Sequence, residues 1–348
     1  MNDILIVDST LRDGSHAIRH QFTAKNIKDY AAGAEKAKMP VIMVGHGNGL
    51  GASSVQLGQS LLSDRQMLKA AKDQLKHTKL GAFLIPGFGT IKNDLDPAIE
   101  LDIDVLMVAA HCSEANITRQ HIEYGVKKNL KVYGVLMMTH MLDAKNLLAQ
   151  AILMQSYGAS GVLLMDSAGA LLPQDVKKRI KKLVRNLKID VGFHAHNNLG
   201  MAIANSIAAV ESGAKIIDGT SRGLGAGAGN CQLEVVVAVL LKMGYKLDLN
   251  LFQMMDNSEK IVSKIMLKPQ EISEVSLTSG LAGVFSGFAP QTRMAAERFG
   301  VDPKNILIEL GKRRIVAGQE DIIVDIAANL AQKKKHKEQV DNSIEALI

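Results

Sequence analysis

The sequence is poor in aromatic residues and in cysteine. Its 348 residues include no tryptophan, and phenylalanine and tyrosine together make up 4% of the chain. Only two cysteines occur, Cys112 and Cys231, and neither belongs to a C-x-x-C pair. A disulfide framework or a structural zinc site is therefore not expected, and ordinary packing explains both thiols better than a catalytic role beside His111.

Long hydrophobic runs are also missing. No stretch is long and apolar enough for a transmembrane helix, and the N-terminal residues lack the apolar core of a signal peptide. We expect a soluble, cytoplasmic protein. With 47% hydrophobic residues, the chain has enough apolar material for one large domain and an appended smaller one.

The formal charge of +6 raises the question of nucleic-acid binding. The basic residues collect on predicted helix faces, such as 177–182, and in the tail at 333–337, without aromatic residues between them. Stacking aromatics accompany basic residues in most single-strand binding surfaces, so solvated helix faces explain these lysines better. We expect no nucleic-acid partner, and the mild basicity favours anionic substrates such as keto acids.

Short apolar segments alternate regularly with helical patterns along the first 248 residues. The predicted strands are Ile4–Val7, Val41–Val44, Leu80–Ile85, Val105–Val108, Val132–Met137, Val162–Met165, Val191–Phe193 and Lys215–Ile217. Continuously apolar strands are typical of a parallel sheet that is covered on both faces, and eight such units close into a barrel. The sequence therefore predicts an α/β protein with a (β/α)8 TIM barrel.

The strand pattern ends near residue 249, and helical patterns follow. Segments Asp256–Met266, Gln291–Phe299, Asn305–Leu310 and Glu320–Ala331 read as helices, with a break at Pro269. We therefore predict a barrel domain at 1–248, a small C-terminal α-helical domain at 249–331 and a charged tail at 332–348.

Two polar clusters follow predicted strands that lie far apart in the chain. Arg12, Asp13 and His16 come after the first strand, and His194 and His196 end the seventh. Catalytic groups of such barrels sit at the C-terminal ends of the strands, so both clusters are expected on one rim. Residues two apart in a strand point to the same face, so the two histidines can hold one ion with Asp13 as the third ligand.

These clusters belong to a longer pattern that resembles a known family. The stretch from Thr10 to Gln21, TLRDGSHAIRHQ, together with His194-Ala-His196, resembles the 4-hydroxy-2-oxovalerate aldolases, which are class II pyruvate aldolases among the metal-dependent lyases and Claisen synthases. Further matching segments begin at residues 46, 110, 120, 136, 166, 223 and 318, so the resemblance covers nearly the whole chain.

The resemblance implies a metal-dependent cleavage of a 4-hydroxy-2-oxo acid to pyruvate and an aldehyde through an enolate held by the metal. Asp13, His194 and His196 would bind the ion, with Mn²⁺ expected and Mg²⁺ or Co²⁺ as alternatives. His16 would be the general base, and Arg12 would stabilise the enolate oxygen. The substrate would contact Arg12, Asp13, Ser167, His194 and Phe285. An acylating aldehyde dehydrogenase is the implied protein partner, and an oligomer is expected.

The sequence departs from the family pattern at two positions. Family members carry tyrosines in the segment that begins at Gly280, and this chain has Leu281 and Phe285 in their places. Two interpretations stay open. Either the replacements are neutral, or the aldehyde that the enzyme handles is larger or more apolar than acetaldehyde. The glycine-rich segment 223–230 is interpreted as a close backbone approach to the metal site or as a turn, and in some relatives an asparagine at the position of Asn230 joins the ligands.

Two other functions remain as alternatives. A Claisen-type synthase would condense acetyl-CoA with a 2-oxo acid on the same barrel, but those enzymes usually carry Glu-Gln where this chain has Ser15-His16. A barrel without catalysis could serve as a binding subunit of a dehydrogenase. The presence of Arg12, Asp13, His16 and both histidines of the pair argues against that interpretation.

Overall fold

A computed structural model describes residues 4–345 of the protein, with side chains as far as residue 334. Eight parallel strands pair in chain order and close into a barrel. They are β1 Leu5–Leu11, β2 Val41–Val44, β3 Lys79–Leu84, β4 Val105–His111, β5 Lys131–Met137, β6 Gly161–Asp166, β7 Asp190–Ala195 and β8 Ile216–Gly219. The predicted (β/α)8 TIM barrel is confirmed.

Helices surround the barrel and continue beyond it. Those of the barrel region are α1 Gly14–Ala17, α2 Ala24–Lys36, α3 Asp64–Lys72, α4 Asp96–Ile99, α5 Arg119–Lys127, α6 Ala144–Ser156, α7 Pro173–Val184, α8 Ala202–Glu211 and α9 Leu233–Lys242. The later ones are α10 Leu251–Asn257, α11 Ser263–Ile265, α12 Glu274–Ala282, α13 Ala289–Phe299, α14 Pro303–Lys312 and α15 Asp321–Glu345.

The strands bury both of their faces, which explains their continuous apolar sequences. One set of side chains fills the barrel interior, among them Met43, Phe83, Met107 and Leu163. The alternate set packs against the surrounding helices in a larger core. Because the barrel interior is filled, ligands have access only at the ends of the strands.

Strand β1 is longer than the sequence indicates. Asp8 and Thr10 are polar and were expected after the strand, yet both lie within it and are buried. The strand tolerates them because their side chains are paired: the Tyr30 hydroxyl donates to Asp8 Oδ2 at 2.6 Å, and the Thr10 backbone amide donates to Asp8 Oδ1 at 2.9 Å. Paired polar groups can be buried without a large loss of stability.

The C-terminal helices enclose a separate hydrophobic core, which includes Phe288, Ile306, Leu310, Ile323 and Ile326. The helix predicted at Asp256–Met266 is instead divided between α10, a π-helical turn at Ser258–Val262 and α11. Helix α12 had no counterpart in the prediction, because its serine-rich and glycine-containing sequence favours no helix by propensity.

The domain boundaries at residues 249 and 332 stay a prediction. Helix α15 runs on into the predicted tail as far as Glu345, and residues 346–348 of that tail lie outside the described residues. In the described part of the chain, every helix is too short or too polar to cross a membrane.

Candidate metal centre and active site

A carboxylate and two imidazoles meet at the carboxyl end of the barrel. Asp13 follows β1, while His194 lies in β7 and His196 directly after it. One ligand atom of each lies within 4.8 Å of the others, and all three residues are buried. This donor set fits a divalent first-row cation. The structure therefore brings together the three residues that the sequence predicts as metal ligands.

His194 is oriented by Asp218 of β8. Its Nδ1 donates to Asp218 Oδ2 at 2.9 Å, and both side chains are completely buried. The lone pair is therefore on Nε2, which has no hydrogen-bond partner among the described residues. A buried imidazole nitrogen without a partner, on a ring held by a carboxylate, is the usual arrangement of a metal-binding histidine.

His196 offers a second free nitrogen. Its Nδ1 is buried and, within residues 4–345, has no hydrogen-bond partner. Burial is the main influence on the pKa of His196 and lowers it to about 4, although the nearby Asp13 carboxylate acts in the opposite direction. The ring is therefore neutral near pH 7, which is the form that binds a metal ion.

Asp13 is held by three donors. Its Oδ2 accepts from Arg12 Nη1 at 2.7 Å, and its Oδ1 accepts from Asn230 Nδ2 at 2.8 Å and from the Ala226 amide at 3.3 Å. Burial alone would raise the pKa of Asp13, but Arg12 and then His196 hold this pKa well below its usual range. The carboxylate is therefore ionised. The Asn230 amide group faces Asp13 through its nitrogen.

The Arg12 guanidinium is fixed from several sides. It lies over the Phe83 ring at 4.5 Å, and its Nη1 also donates to the Gly47 carbonyl at 3.3 Å. Its Nη2 donates to Ser9 Oγ at 3.4 Å and lies 3.9 Å from Asp218 Oδ2. Such a rigid, permanently charged group beside the ligand cluster can stabilise an oxyanion without reorganising.

His16 lies on the short helix α1 and is half-buried. Burial lowers the pKa of His16, and Arg12 acts in the same direction, while Asp13 opposes both. Its ring meets the ring of His20 edge-on, with the centroids 5.0 Å apart, and lies 6.3 Å from the ring of His46. His16 is therefore a neutral imidazole near the ligand cluster, at the edge of a group of three histidines.

Ser167 follows β6 and is completely buried. Its Oγ accepts from the Met138 amide at 3.0 Å, so the hydroxyl proton remains free to be donated elsewhere. Its carbonyl accepts from the Ser286 amide at 2.9 Å. The neighbouring Phe285 is half-buried and packs edge-on against Phe288, with ring centroids 5.5 Å apart. The segment around Phe285 is thereby attached to the end of β6.

Comparison with known proteins agrees with this geometry. The family model described as HMGL-like matches residues 3–261, and that of the DmpG-like communication domain matches residues 270–332. The 4-hydroxy-2-oxovalerate aldolase of Pectobacterium atrosepticum is 49% identical over 96% of this chain and 97% of its own length. The protein of that name in Spirochaeta aurantia is 49% identical over 95% and 97%. The chain belongs to the 4-hydroxy-2-oxovalerate aldolase family.

Solved structures agree on the fold. The carboxyl transferase domain of Rhizobium etli pyruvate carboxylase superposes with a TM-score of 0.79 at 16% identity, over 96% of this chain and 61% of that chain.

Membership of the HMGL-like family and the buried cluster of Asp13, His194 and His196 together indicate a divalent metal site in this aldolase-family barrel.

The glycine-rich segment after β8 approaches this site closely through its backbone, which is one of the two interpretations that the sequence left open. A Cβ atom on Gly225 would lie 2.6 Å from Asp13 Oδ1 and 2.2 Å from Asn230 Nδ2. Both distances are far shorter than any real contact of a Cβ atom. Only glycine therefore fits beside the carboxylate at this position.

Three residues of the site were not predicted from the sequence. Asp218 orients His194. It was missed because the eighth strand was expected to end at Ile217, one residue before Asp218. Gly47 lies directly against His16, because a Cβ there would lie 2.3 Å from His16 Nε2. Asn198 donates through Nδ2 to Ser286 Oγ and to the Ala168 carbonyl, each at 2.9 Å. A polar residue directly after an apolar strand was the available signal for Asp218.

The two cysteines are free and buried. Burial raises the pKa of each thiol to about 12. Cys112 Sγ donates to the Met138 carbonyl at 3.3 Å and lies 3.9 Å from His111 Nε2. A thiol with so high a pKa is a poor nucleophile, so packing accounts for Cys112.

Proposed function

We propose that this protein cleaves 4-hydroxy-2-oxopentanoate, or a related 4-hydroxy-2-oxo acid, to pyruvate and an aldehyde. The observation that supports this proposal is the meeting of Arg12, Asp13, His16, His194 and His196 at one end of the barrel. A ligand set for a cation, a fixed guanidinium and a neutral imidazole are the groups that a metal-dependent retro-aldol reaction needs. The names of the relatives agree with this reaction.

Asp13, His194 and His196 would hold the ion, which we propose is Mn²⁺, with Mg²⁺ and Co²⁺ as alternatives. Among the described residues, the two histidines offer nitrogens that have no protein partner, and Asp13 is ionised. When bound, a divalent cation supplies Lewis acidity to the carboxylate and 2-oxo group of the substrate.

His16 is the proposed general base for the hydroxyl group on C4. It takes the hydroxyl proton, the C4 oxygen forms the aldehyde carbonyl, and the C3–C4 bond breaks. The electron pair of that bond passes into the C2–C3 bond and leaves negative charge on the C2 oxygen. Protonation at C3 then completes pyruvate. The lowered pKa of His16 keeps the ring neutral, and therefore basic, at pH 7.

Arg12 and Ser167 are the proposed substrate-orienting groups. The Arg12 guanidinium is held by Phe83 and by Asp13, so it faces the developing charge on the C2 oxygen without moving. The Ser167 hydroxyl oxygen accepts a hydrogen bond from one backbone amide, and the hydroxyl proton is available for the substrate carboxylate. Phe285 is proposed to contact the aldehyde part of the substrate.

The test is pyruvate release from 4-hydroxy-2-oxopentanoate and its longer homologues, with Mn²⁺ added and then with a chelator. Pyruvate formation that the chelator abolishes and Mn²⁺ restores is the expected result. If no homologue yields pyruvate while the protein binds metal, the retro-aldol assignment is wrong, and condensation of acetyl-CoA with a 2-oxo acid becomes the reaction to assay.

We also propose that an acylating aldehyde dehydrogenase binds the C-terminal helices. The match of residues 270–332 to the DmpG-like communication domain supports this partner, and a reactive aldehyde product gives a chemical reason for it. Co-expression with the dehydrogenase of the same organism, followed by size-exclusion chromatography, tests it, and separate elution would contradict it. A cytoplasmic location and an oligomeric state remain predictions from the sequence.

A further inference from the structure

Two contacts between Ser15 and His20 close the short loop that carries His16. The His20 amide donates to the Ser15 carbonyl at 2.7 Å, and the Ser15 hydroxyl lies 3.1 Å from His20 Nδ1. Arg19 and His20 both adopt positive φ angles, 55° and 61°, which residues other than glycine seldom adopt. Two such residues in succession need support from their surroundings, and strained backbone of this kind is concentrated at functional sites.

That support comes from His46. The rings of His20 and His46 are stacked, with centroids 3.7 Å apart and an interplanar angle of 15°. The Asn48 amide donates to His46 Nδ1 at 3.0 Å, so the proton is on Nε2, which donates to the Gly58 carbonyl at 3.0 Å. Because both nitrogens of His46 are engaged, this completely buried ring is a fixed platform for His20.

His20 in turn forms one wall of the space that His16 occupies. The His16 ring meets the His20 ring edge-on, at an interplanar angle of 71°, and the Gly47 backbone lies against His16 Nε2. The ring of His16 is thus confined between His20 and Gly47. Burial lowers the pKa of His20 to about 2 and that of His46 to about 4, so neither neighbour carries a charge near pH 7.

We infer that His20 is a positioning residue for His16: its closed loop with Ser15 and its stack on His46 hold the His16 imidazole in the orientation that removes the substrate hydroxyl proton. This inference rests on the base role proposed for His16. His20 is not itself the base, because its Nδ1 is engaged with Ser15 and its ring also bonds the Leu57 backbone.

We expect the same site also to decarboxylate oxaloacetate, and this second reaction separates positioning from folding. Oxaloacetate carries the same 2-oxo carboxylate, but its C3–C4 bond breaks with loss of CO₂, and the electron pair again enters the C2–C3 bond to give the pyruvate enolate. No hydroxyl proton has to be removed in that step. Decarboxylation therefore needs the ligand cluster and Arg12 but no base at His16, and its rate reports whether the rest of the site is intact.

The experiment compares both reactions in three variants of His20. His20→Ala removes the ring and both contacts. His20→Asn keeps an acceptor for Ser15 and tolerates the positive φ, but loses the stack. His20→Phe keeps a flat ring on His46 and loses the hydrogen bond. Exposed His77→Ala is the matched control, and His16→Ala is the reference for complete loss of the base.

For His20→Ala we expect kcat of aldol cleavage to fall on the order of 100-fold, as a displacement of about 1 Å can cause, with little change in KM. Oxaloacetate decarboxylation and Mn²⁺ affinity should stay within about twofold of the unchanged protein. His20→Asn and His20→Phe should each recover part of the cleavage rate. His16→Ala should show the same selective loss, and His77→Ala none.

Three results would overturn the inference. Normal cleavage by His20→Ala beside an inactive His16→Ala would show that the base needs no such support. A parallel loss of cleavage, decarboxylation and Mn²⁺ binding in all three His20 variants would assign His20 to the folding of the site instead. Normal cleavage by His16→Ala would overturn the proposed base, and this inference with it.

Discussion

Asp218 Oδ2 accepts a hydrogen bond from His194 Nδ1 at 2.9 Å and also lies 3.9 Å from Arg12 Nη2. One completely buried carboxylate therefore fixes the tautomer of a proposed metal ligand and balances the charge of the proposed oxyanion stabiliser. Outer carboxylates of this kind typically account for 10–100-fold of metal affinity.

We predict that Asp218→Asn lowers Mn²⁺ affinity by about that factor, because an amide no longer enforces a proton on His194 Nδ1. Competition with a fluorescent chelator measures the dissociation constant. Asp248→Asn, at a carboxylate that is 98% exposed, is the matched control. An unchanged dissociation constant in Asp218→Asn would mean that the Asp218 carboxylate does not tune His194 for metal binding.

Replacing a proposed ligand and replacing the proposed base should have different effects on metal content. His194→Ala removes one of three ligands, so the purified protein should lose its Mn²⁺ and its cleavage activity together. His16→Ala should lose cleavage by about 100-fold or more while its Mn²⁺ content stays normal. Elemental analysis beside the pyruvate assay distinguishes the two. Full metal content in His194→Ala would refute the ligand assignment.

Gly47 offers a way to displace His16 without changing it. A methyl group at this position would lie 2.3 Å from His16 Nε2 and 2.6 Å from Cε1, so the ring of His16 must move. We expect Gly47→Ala to reduce kcat of cleavage by about 100-fold, with Mn²⁺ affinity and the unfolding temperature nearly unchanged. Wild-type kcat in this variant would indicate that the catalytic orientation of His16 differs from the one described.

Much of this site was predictable because the carboxyl ends of the parallel strands all lie at the same end of the barrel. That rule brought Asp13, His194 and His196 together from segments more than 180 residues apart. Contacts that depend on loop conformation were not predictable. His20 meets Ser15 only because Arg19 and His20 adopt positive φ angles, and no sequence pattern of non-glycine residues specifies that conformation.

The same limit applies outside the site. Asp8 and Thr10 appeared to end the first strand, since polar residues usually do, but tertiary hydrogen bonds from Tyr30 keep them inside it. The break between α10 and α11 is a π-helical turn, and neither proline nor glycine marks it in the sequence. For the first strand, pairing with distant residues decided the element more than local propensity did.

Buried Asp8 should make stability depend on pH. Burial raises the pKa of Asp8 from its ordinary value of 3.8 to about 6, although hydrogen bonds from Thr10 and Tyr30 oppose this change. The native state therefore binds the proton more tightly than the unfolded state. The resulting stabilisation is complete below about pH 4 and is lost as the pH rises through about 6, by on the order of 3 kcal/mol.

Asp8→Asn keeps the shape of this side chain but cannot ionise. The difference in the free energy of unfolding between Asp8→Asn and the unchanged protein should therefore move in favour of Asp8→Asn between pH 4 and pH 7. Urea unfolding at several pH values measures this difference. A constant difference over that range would show that Asp8 titrates at the same pH in the native and unfolded states.

Phe285 distinguishes the two interpretations that the sequence leaves open, neutral replacement and a different aldehyde. Its ring packs against Phe288, and the adjacent Ser286 amide is bonded to the Ser167 carbonyl, so the segment is held at the end of β6. Phe285→Tyr restores the hydroxyl group of the family pattern. One regained hydrogen bond is worth about 0.5–1.5 kcal/mol, which corresponds to a change of about 2–10-fold in relative kcat/KM.

We predict that Phe285→Tyr shifts the ratio of kcat/KM values by that factor towards 4-hydroxy-2-oxopentanoate and away from longer homologues. A phenol oxygen makes the contact with the aldehyde part of the substrate more polar, which disfavours the additional apolar carbons of the longer homologues. Leu281→Tyr is the matched control, because Leu281 is 73% exposed and a ring there should leave the ratio unchanged. An unchanged ratio in Phe285→Tyr would favour neutral replacement, since the lost hydroxyl would then contribute nothing to the discrimination between aldehydes.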